Sequence, residues 1–450
     1  MTIGRGLRDM VVAQRGRVAS RLPDVPVPRL RGRFRRRGLL AFLAVMGPGI
    51  IAGVAGNDAG GLTTYSVLGA ETGLTMLWIF PLTILILAIV QEMVARLGVI
   101  TGQGLSDLIR ERFGVRWTVF AMGVLLLANV ANTIANMAGA AAALDIFGIP
   151  KIVTVPVVAV AIWSLVLFGS YRIVERVFLL VMLVFLAYPI AAIMATDDWT
   201  PVFKAFVTPT LPLDPATLLL LVAVVGTTIT PYMQFYLQSA VAEKGIGEEE
   251  LRLEQADAVV GSVWTNVIAV FIVVATAAAV VAGGAALTIT SAADAAKALE
   301  PVAGPFAEVL FGIGLFGASV LAATIMPIST AFVICEAFGW ESGVGKRFSD
   351  APVFFGIYTF VLALGAIVVL LVPEGSLVGI IVGSQNLQGL LLPIVLVFLV
   401  LLVNDKRLMG AYVNGRWGNV LAWGAVSLVV ALNAILLGVT LLGALGVSVG

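Results

Sequence analysis

Long apolar runs alternate with short polar segments along this chain of 450 residues. A run of roughly 20 apolar residues is long enough for an α-helix to cross the hydrocarbon core of a bilayer. The pattern predicts eleven such helices, called spans 1 to 11 here, near residues 39–69, 76–98, 117–144, 152–171, 177–196, 216–241, 258–282, 307–334, 353–372, 377–402 and 418–445. We therefore expect an all-α integral membrane protein.

Two of these spans carry helix breakers in their middle. Span 1 contains Asp58-Ala59-Gly60-Gly61, and span 6 contains Thr230-Pro231. Eleven spans divide as five, five and one, and a unit with an odd number of spans can repeat only in inverted orientation. Spans 1 and 6 are then equivalent. Interrupted helices at corresponding positions of two halves are the best sequence pointer to the substrate site of a transporter.

The domain organisation follows from this count. Residues 38–450 are predicted to form one transmembrane transporter domain, with repeat one near 38–196, repeat two near 214–402 and an extra helix near 417–445. Residues 1–37 carry eleven arginines and two aspartates. We expect a disordered cytoplasmic arm that touches anionic lipids, because basic segments beside a membrane are attracted to its negative surface. Neither a signal peptide nor a nucleic-acid partner is expected.

The positive charges predict the orientation of the chain. If the N-terminus is cytoplasmic, all but three of the 27 lysines and arginines lie on the cytoplasmic side, and Lys151, Lys204 and Lys297 lie outside. Cytoplasmic loops of membrane proteins carry such an excess. The prediction is a multi-pass, monomeric protein of the cell membrane with its C-terminus outside. Glu92 is interpreted as structural, paired with Arg96.

Composition excludes several kinds of chemistry. Hydrophobic residues make up 60% of the chain and charged residues 12%, and there are one cysteine, Cys335, and no histidines. An intramolecular disulfide, a thiolate metal cage, a histidine base and a histidine proton relay are therefore all excluded. An enzyme and a bound cofactor are not expected.

Asp58 is the most informative residue, because an acid so deep in a span costs at least ~2.5–3.5 kcal/mol on insertion scales. One interpretation is a structural carboxylate that caps a half-helix. The other is a cation site, since Gly60 and Gly61 let the backbone leave helical geometry and free its carbonyl groups. A hard cation such as Mg²⁺ prefers carboxylate, carbonyl, amide and water oxygens.

Further oxygen-bearing residues follow the second break. Pro231 cannot donate to the helix ladder, so carbonyl groups near Thr227 are expected to be free, and Thr230 offers a hydroxyl. Tyr232 and Gln234 lie just beyond, Asn57 precedes Asp58, and these three are expected behind the direct ligands. In span 10, Gln385 is the preferred contributor, although interhelical hydrogen bonding explains such amides equally well. In span 3, spacings of three and four place one set of polar residues on a single face: Asn129, Asn132, Thr133 and Asn136.

Several short sequence motifs, spread over nearly the whole chain after residue 37, resemble those of the Nramp family of divalent-metal transporters. They are Gly47-Pro48-Gly49, Asp58-Ala59-Gly60-Gly61 where the family has Asp-Pro-Gly-Asn, Ala95–Gly102, Asp405–Gly410 and Asn414–Trp417. The resemblance implies a LeuT-like fold, with inverted five-helix repeats and an eleventh helix. It also implies that Asp58 and Gln385 occupy metal-binding positions.

Departures from the family pattern change the expected substrate. The resemblance places Gly61 at the family's asparagine, Thr230 at its metal-binding methionine, Gln238 at its second histidine, and Thr133 and Asn136 at its proton-moving acids. The thioether of a methionine favours soft transition metals over hard cations. A site without this methionine therefore loses its preference for soft metals. An oxygen-lined site with few direct ligands suits Mg²⁺, which keeps several of its waters. The pattern is most similar to the Nramp-related magnesium transporters.

The sequence thus predicts a carrier of divalent cations, with Mg²⁺ and also Mn²⁺ as transported substrates, taken up partly hydrated and without proton coupling. Direct ligands are expected from Asp58, Gly61, Thr227, Thr230 and Gln385. Alternatives are a proton-coupled Mn²⁺/Fe²⁺ carrier, a trivalent-aluminium carrier, and a sodium-coupled organic-solute carrier of the same fold. A membrane enzyme and a structural scaffold are the least favoured.

Overall fold

The computed structural model describes residues 56–168, 187–210, 214–283, 307–344 and 346–444, together with positions 49, 52, 53, 289, 294, 295 and 304. The predicted basic arm, 1–37, lies outside these ranges. Throughout the described residues the regular secondary structure is helical, without strands. This agrees with the expectation for a chain in which every backbone polar group in the membrane must be paired within its own segment.

Fifteen helices of the described ranges are numbered here in chain order. They are α1 (Ala59–Thr72), α2 (Ile79–Thr101), α3 (Leu105–Phe113), α4 (Val115–Asp145), α5 (Lys151–Phe168), α6 (Ala187–Ala195), α7 (Thr200–Val207), α8 (Pro215–Thr228), α9 (Pro231–Lys244), α10 (Leu251–Gly283), α11 (Ala307–Phe338), α12 (Pro352–Leu371), α13 (Leu377–Val403), α14 (Lys406–Met409) and α15 (Arg416–Ala444).

Nine stretches of the described residues are long and apolar enough to cross a membrane. They match predicted spans 2, 3, 4, 6, 7, 8, 9, 10 and 11, with α8 and α9 together forming span 6. Of spans 1 and 5, the structure describes chiefly the later parts, α1 and α6. The apolar runs therefore located the membrane helices well, because length and hydropathy alone determine which segments can span.

Three short helices, α3, α7 and α14, lie outside the predicted spans. In α3, Leu105, Leu108 and Ile109 are buried while Arg110 is exposed, so only one face of the helix packs on the protein. Nine residues of this kind give no apolar run and a weak periodic signal. Burial, reinforced by the nearby Glu111 carboxylate, raises the pKa of Asp107 to about 6.

α4 lies at the centre of the bundle. It packs most extensively against α11 and α13, while α13 also packs along α8, and α10 packs along α2 and α1. At one membrane face, Arg96 forms an ion pair with Glu92 at 2.9 Å, as predicted. Span 3 thus runs beside spans 8 and 10, and it also contacts α1 and α9 of the two broken spans.

α8 and α13 approach each other at their glycines. A Cβ atom on Gly226 would lie 2.2 Å from the carbonyl oxygen of Gln385, and one on Gly389 would lie 2.4 Å from the carbonyl oxygen of Val222. Small residues allow helix backbones to come this close in membranes. The contact places Gln385 beside the break in span 6.

Candidate cation site at the two broken spans

The first break ends where α1 begins. Asp58 is the N-cap residue of α1, with extended backbone, and its Oδ1 accepts a hydrogen bond of 2.9 Å from the Gly61 N–H. Such a cap satisfies one of the unpaired donors at a helix start, and a negative charge there is favoured by the helix dipole. Asp58 therefore has a structural role in the restart of the helix.

The second break separates α8 from α9. α8 ends at Thr228, Ile229 leaves helical geometry, and Thr230 is extended (φ −65°, ψ 135°) before α9 begins at Pro231. Because Pro231 has no N–H, the carbonyl group of Thr227 lacks the donor that a continuous helix would provide. The predicted interruption of span 6 is confirmed at this position.

α1 and α8 are joined directly next to the two breaks. The hydroxyls of Tyr65 and Thr228 are 2.9 Å apart. The hydroxyl of Thr228 donates to the Val224 carbonyl at 2.6 Å, so Tyr65 is the donor in the bond between the helices. The two interrupted spans are thus held side by side.

The polar stripe of α4 reaches the carboxylate. Asn136 Nδ2 donates to Asp58 Oδ2 at 3.0 Å, and Asn136 Oδ1 accepts from the Ala59 N–H at 3.1 Å. One turn earlier, Asn132 Oδ1 accepts from Gln385 Nε2 at 3.0 Å. Through these bonds α4 connects the cap of α1 to the amide of α13.

Thr133, the other position expected from the family's acidic pair, does not join this network. Its hydroxyl donates to the Asn129 carbonyl within α4 at 2.8 Å. Its methyl group faces Gly365 of α12, where an added Cβ would lie 2.9 Å away. The structure therefore brings Asn136 to Asp58 and turns Thr133 away.

Gly60 and Gly61 are closely surrounded. A Cβ on Gly60 would lie 2.0 Å from Gln385 Nε2, and one on Gly61 would lie 2.7 Å from the Gly56 carbonyl oxygen and 3.3 Å from Thr227 Oγ1. The space that a side chain at Gly61 would occupy is thus filled by oxygens of the chain itself. Gly61 thus allows oxygens of both breaks to approach each other beside Asp58, and Gly60 makes room for the Gln385 amide.

Several buried oxygens of the predicted set make no hydrogen bond of standard geometry to any residue that the structure describes. They are Asn57 Oδ1, Thr227 Oγ1, Thr230 Oγ1, Tyr232 Oη and Gln385 Oε1. Buried polar groups are normally paired, and an unpaired one costs on the order of 1–3 kcal/mol. Oxygens of this kind are available as cation ligands.

The remaining amides at the breaks are engaged. With its orientation assigned from its neighbours, the amide nitrogen of Gln234 donates to the carbonyls of Pro231 (2.8 Å) and Thr230 (2.6 Å). Asn57 Nδ2 donates to the Thr265 carbonyl of α10 at 3.4 Å. Gln234 thus stabilises the start of α9, and Asn57 keeps only its oxygen available.

Two methionines near the site were missed by sequence reasoning. A Cβ on Gly56 would lie 2.3 Å from the methyl carbon of Met233, and Asn132 Nδ2 lies 3.4 Å from Met326 Sδ. Met233 is two residues after Pro231, in the first turn of α9. Met233 thus contacts the first break and Met326 contacts the polar stripe of α4, while Thr230 lies at the second break.

The site is strongly buried and carries a single formal charge. Asp58 is 3% exposed and Gln385 0%. Within the described ranges, no group of three or more acidic, histidine or cysteine side chains could hold a metal ion. One carboxylate among neutral oxygens can bind a hard cation that retains part of its water shell. Because these atoms are buried, a cation would reach them only after the surrounding helices move.

The Nramp family, described as natural resistance-associated macrophage protein-like, matches residues 49–438 of the chain. The divalent metal cation transporter MntH of Deinococcus radiodurans is 30% identical over 420 residues, which cover 91% of this chain and 92% of the relative. These matches extend over both broken spans and α4, α11 and α13.

Solved structures share the fold. The manganese transporter of Eremococcus coleocola, solved with an aromatic bis-isothiourea compound, has a TM-score of 0.74 at 22% identity and covers 89% of this chain and 88% of its own. MhsT in complex with L-phenylalanine has a TM-score of 0.56 at 14% identity, covering 91% and 99%. The predicted LeuT-like, all-α membrane fold is thus confirmed, and the chain is a membrane transporter, not an enzyme, that belongs to the Nramp family.

Proposed function

We propose that this protein carries Mg²⁺ across the cell membrane, partly hydrated and without moving protons in the same cycle, and that Mn²⁺ is a second substrate. Transport of divalent metal cations as a class is supported by the name of the Deinococcus radiodurans relative. The choice of Mg²⁺ and the absence of proton coupling rest on the residues of the site.

The observation that carries the proposal is the set of unpaired oxygens around one carboxylate. Asp58 supplies the charge, and Thr227, Thr230 and Gln385 supply neutral oxygens from two further helices. Mg²⁺ binds oxygen, dehydrates reluctantly and is commonly held by one or two carboxylates plus water. A thioether in place of the Thr230 hydroxyl would favour softer metals.

The case against proton coupling rests on the groups beside Asp58. The chain contains no histidine. The side chain that touches Asp58 from α4 is the neutral amide of Asn136, which has no proton to exchange near neutral pH. Thr133 is bonded within its own helix. A relay of titratable side chains along α4 therefore has no members at these positions.

The second candidate is a proton-coupled Mn²⁺/Fe²⁺ transporter. It is favoured by the manganese transporter among the structural neighbours and by Met233, whose methyl group contacts Gly56 at the first break. A sodium-coupled organic-solute carrier is less favoured, because the Gln385 amide fills the space beside Gly60, and the Gly56 carbonyl oxygen and the Thr227 hydroxyl fill the space beside Gly61.

Uptake into liposomes separates these candidates. The purified protein is reconstituted, and internal Mg²⁺, internal Mn²⁺ and internal pH are followed with separate dyes. We expect Mg²⁺ to enter while the internal pH stays constant. Acidification driven by the metal gradient, or Mn²⁺ uptake with no Mg²⁺ uptake, would contradict the proposal.

The variant Asp58→Ala links this activity to the site. It removes the carboxylate that caps α1 at the first break, so uptake of every divalent cation should fall to the level of empty liposomes. Glu71→Ala, which changes an acid at the far end of the same helix, is the matched control and should retain uptake. Activity retained by Asp58→Ala would remove Asp58 from the transport site.

A further inference from the structure

An apolar groove of about 460 Å³ opens on the outer surface of the bundle between α4 and α13. It is lined by Phe113, Trp117, Phe120, Pro393, Val397 and Phe398, among others. The side chains of Trp117 and Phe120 are 54% and 47% exposed, so they face the surroundings of the bundle and not its core.

Aromatic rings build one wall and the end of this groove. The ring centroids of Phe113 and Phe398 are 5.2 Å apart, and those of Trp117 and Phe398 are 6.1 Å apart. Both pairs have the edge-to-face geometry that stabilises aromatic contacts. Pro393 lies inside α13 along the same surface. The groove is therefore apolar, open to the surroundings and bordered by two membrane helices, α4 and α13.

Positive charges collect at one end of the groove. The guanidinium of Arg112 lies 6.0 Å from the ring centroid of Phe113 and forms a 2.5 Å ion pair with Asp405. Arg116 directly precedes Trp117, and Lys406 and Arg407 directly follow Asp405. All four basic side chains are exposed.

Asp405 offsets only part of this charge. One of its oxygens binds Arg112 and the other accepts the Arg407 N–H at 2.8 Å, which caps α14. The four basic residues, called the basic rim here, therefore retain a net positive charge beside an apolar groove.

We infer that the groove and basic rim bind an anionic phospholipid, with an acyl chain along the aromatic wall and the phosphate at Arg112 and Arg116. Basic pockets between membrane helices on the cytoplasmic side are suited to anionic headgroups. The bilayer supplies the apolar part of any phospholipid, so the basic rim is what selects the anionic ones. Since α4 and α13 both carry residues of the cation site, the bound lipid braces the helices that hold Asn136 and Gln385.

The fluorescence of Trp117 reports directly on the lipid that lies in the groove. Full-length protein is reconstituted in phosphatidylcholine vesicles that contain a small fraction of brominated phosphatidylglycerol or, separately, brominated phosphatidylcholine. The emission of Trp117 is obtained as the difference between the wild type and Trp117→Phe. We expect the brominated anionic lipid to quench this component much more strongly than the brominated zwitterionic lipid.

The variants test both parts of the site. Arg112→Gln with Arg116→Gln should lower the preference for the anionic lipid roughly fivefold per arginine, the equivalent of about 1 kcal/mol for each charge near the membrane surface. The control pair Arg347→Gln with Arg416→Gln removes equal charge elsewhere and should leave the preference unchanged. Val397→Phe, which narrows the groove without adding a tryptophan, should reduce quenching of Trp117 by both lipids.

Three results would overturn the inference. Equal quenching by the two brominated lipids would show a groove filled by bulk lipid. An equal loss of preference in the two double variants would show a general effect of net charge. No quenching by either lipid would show that a protein surface covers the groove.

Discussion

Asn136 helps to orient the carboxylate of Asp58, the proposed cation ligand. Its amide nitrogen holds one carboxylate oxygen at 3.0 Å, and its amide oxygen holds the Ala59 N–H at 3.1 Å. The second carboxylate oxygen is held by the Gly61 N–H. Both oxygens are thus oriented by neutral donors, and neutral donors do not compete with a metal ion by charge.

Replacement of Asn136 by alanine should therefore weaken cation uptake more than it weakens the fold. The variant leaves the Ala59 N–H and one Asp58 oxygen without partners, at about 1–3 kcal/mol for a buried group. We expect the KM for Mg²⁺ to rise on the order of tenfold, measured by uptake into liposomes.

Asn129→Ala is the matched control, because Asn129 belongs to the same stripe but binds Thr330 at 2.8 Å. It should change thermal stability without changing KM. If Asn136→Ala instead lowered the KM, Asn136 would compete with the cation and would not orient its ligand.

Thr230 is the residue at which metal preference should be most easily changed. Thr230→Met places a polarisable sulfur at the second break, where the extended backbone of Thr230 precedes Pro231. We expect the ratio of Mn²⁺ to Mg²⁺ uptake to rise, because thioethers bind soft metals in preference to hard ones.

Met233→Leu tests the sulfur already present near the first break. If the hydroxyl of Thr230 determines selectivity, this variant should leave the Mn²⁺/Mg²⁺ ratio unchanged. A ratio that is unaffected by Thr230→Met but falls in Met233→Leu would assign selectivity to Met233 instead.

At the residue scale, the sequence predicted the acid and the oxygen-rich segments but not their partners. Asp58 was found because a carboxylate in the middle of a span is costly. The contacts of Asn136 with Asp58 and of Met233 with Gly56 depend on how helices distant in sequence pack against each other. Periodicity places a residue on a helix face but does not say which helix lies opposite.

At the scale of elements, the site depends on the close approach of α8 and α13. A Cβ atom added to Gly226 or to Gly389 would lie 2.2–2.4 Å from a backbone oxygen of the opposite helix. Backbone cannot move aside as a flexible side chain can, so any larger residue must separate the helices.

Gly226→Ala and Gly389→Ala should therefore each destabilise the protein by about 1–3 kcal/mol, the usual cost of overpacking, and should displace Gln385 from Asn132. Thermal unfolding in detergent measures the first effect and Mg²⁺ uptake the second. Gly383→Ala, on the same helix with no atom within 4 Å of its Cβ, should be neutral or slightly stabilising. Equal effects at the three positions would show that loss of glycine flexibility, not packing, is responsible.

Both breaks could be predicted from sequence because glycine and proline interrupt a helix by their own covalent structure. The break in span 6 lies at Thr230-Pro231, as predicted. The helices α3 and α7 could not be predicted in the same way, since each is short and apolar on one face only. The sequence around Met233 has no feature that links it to the first break, and only the structure placed it beside Gly56.

At the scale of the whole molecule, the buried site implies alternating access. Asp58 and Gln385 are enclosed by α1, α4, α8 and α13, so a cation enters or leaves only after a rearrangement. Transporters of this architecture expose a midplane site by moving one helix bundle against another. The predicted direction of transport and the orientation of the termini stay predictions.

Contacts that close one side of the bundle involve α9. Gln238 Nε2 donates to the Gln103 carbonyl at 3.0 Å, and the hydroxyls of Ser239 and Ser106 both donate to Glu336 Oε2, at 3.0 and 3.1 Å. These bonds tie the second half of span 6 to α3 and α11. They must break if a cation released beside Thr230 is to leave along α9.

The central claim is that the two broken spans together bind the transported cation. The most direct measurement is a crystal structure with Mn²⁺ soaked in, with the metal located by its anomalous signal in the wild type and in Asp58→Ala. We expect a peak in the wild type within bonding or single-water distance of Asp58 and Gln385, and no peak in the variant. A peak elsewhere in the molecule, or one that persists beside the breaks in Asp58→Ala, would contradict this account.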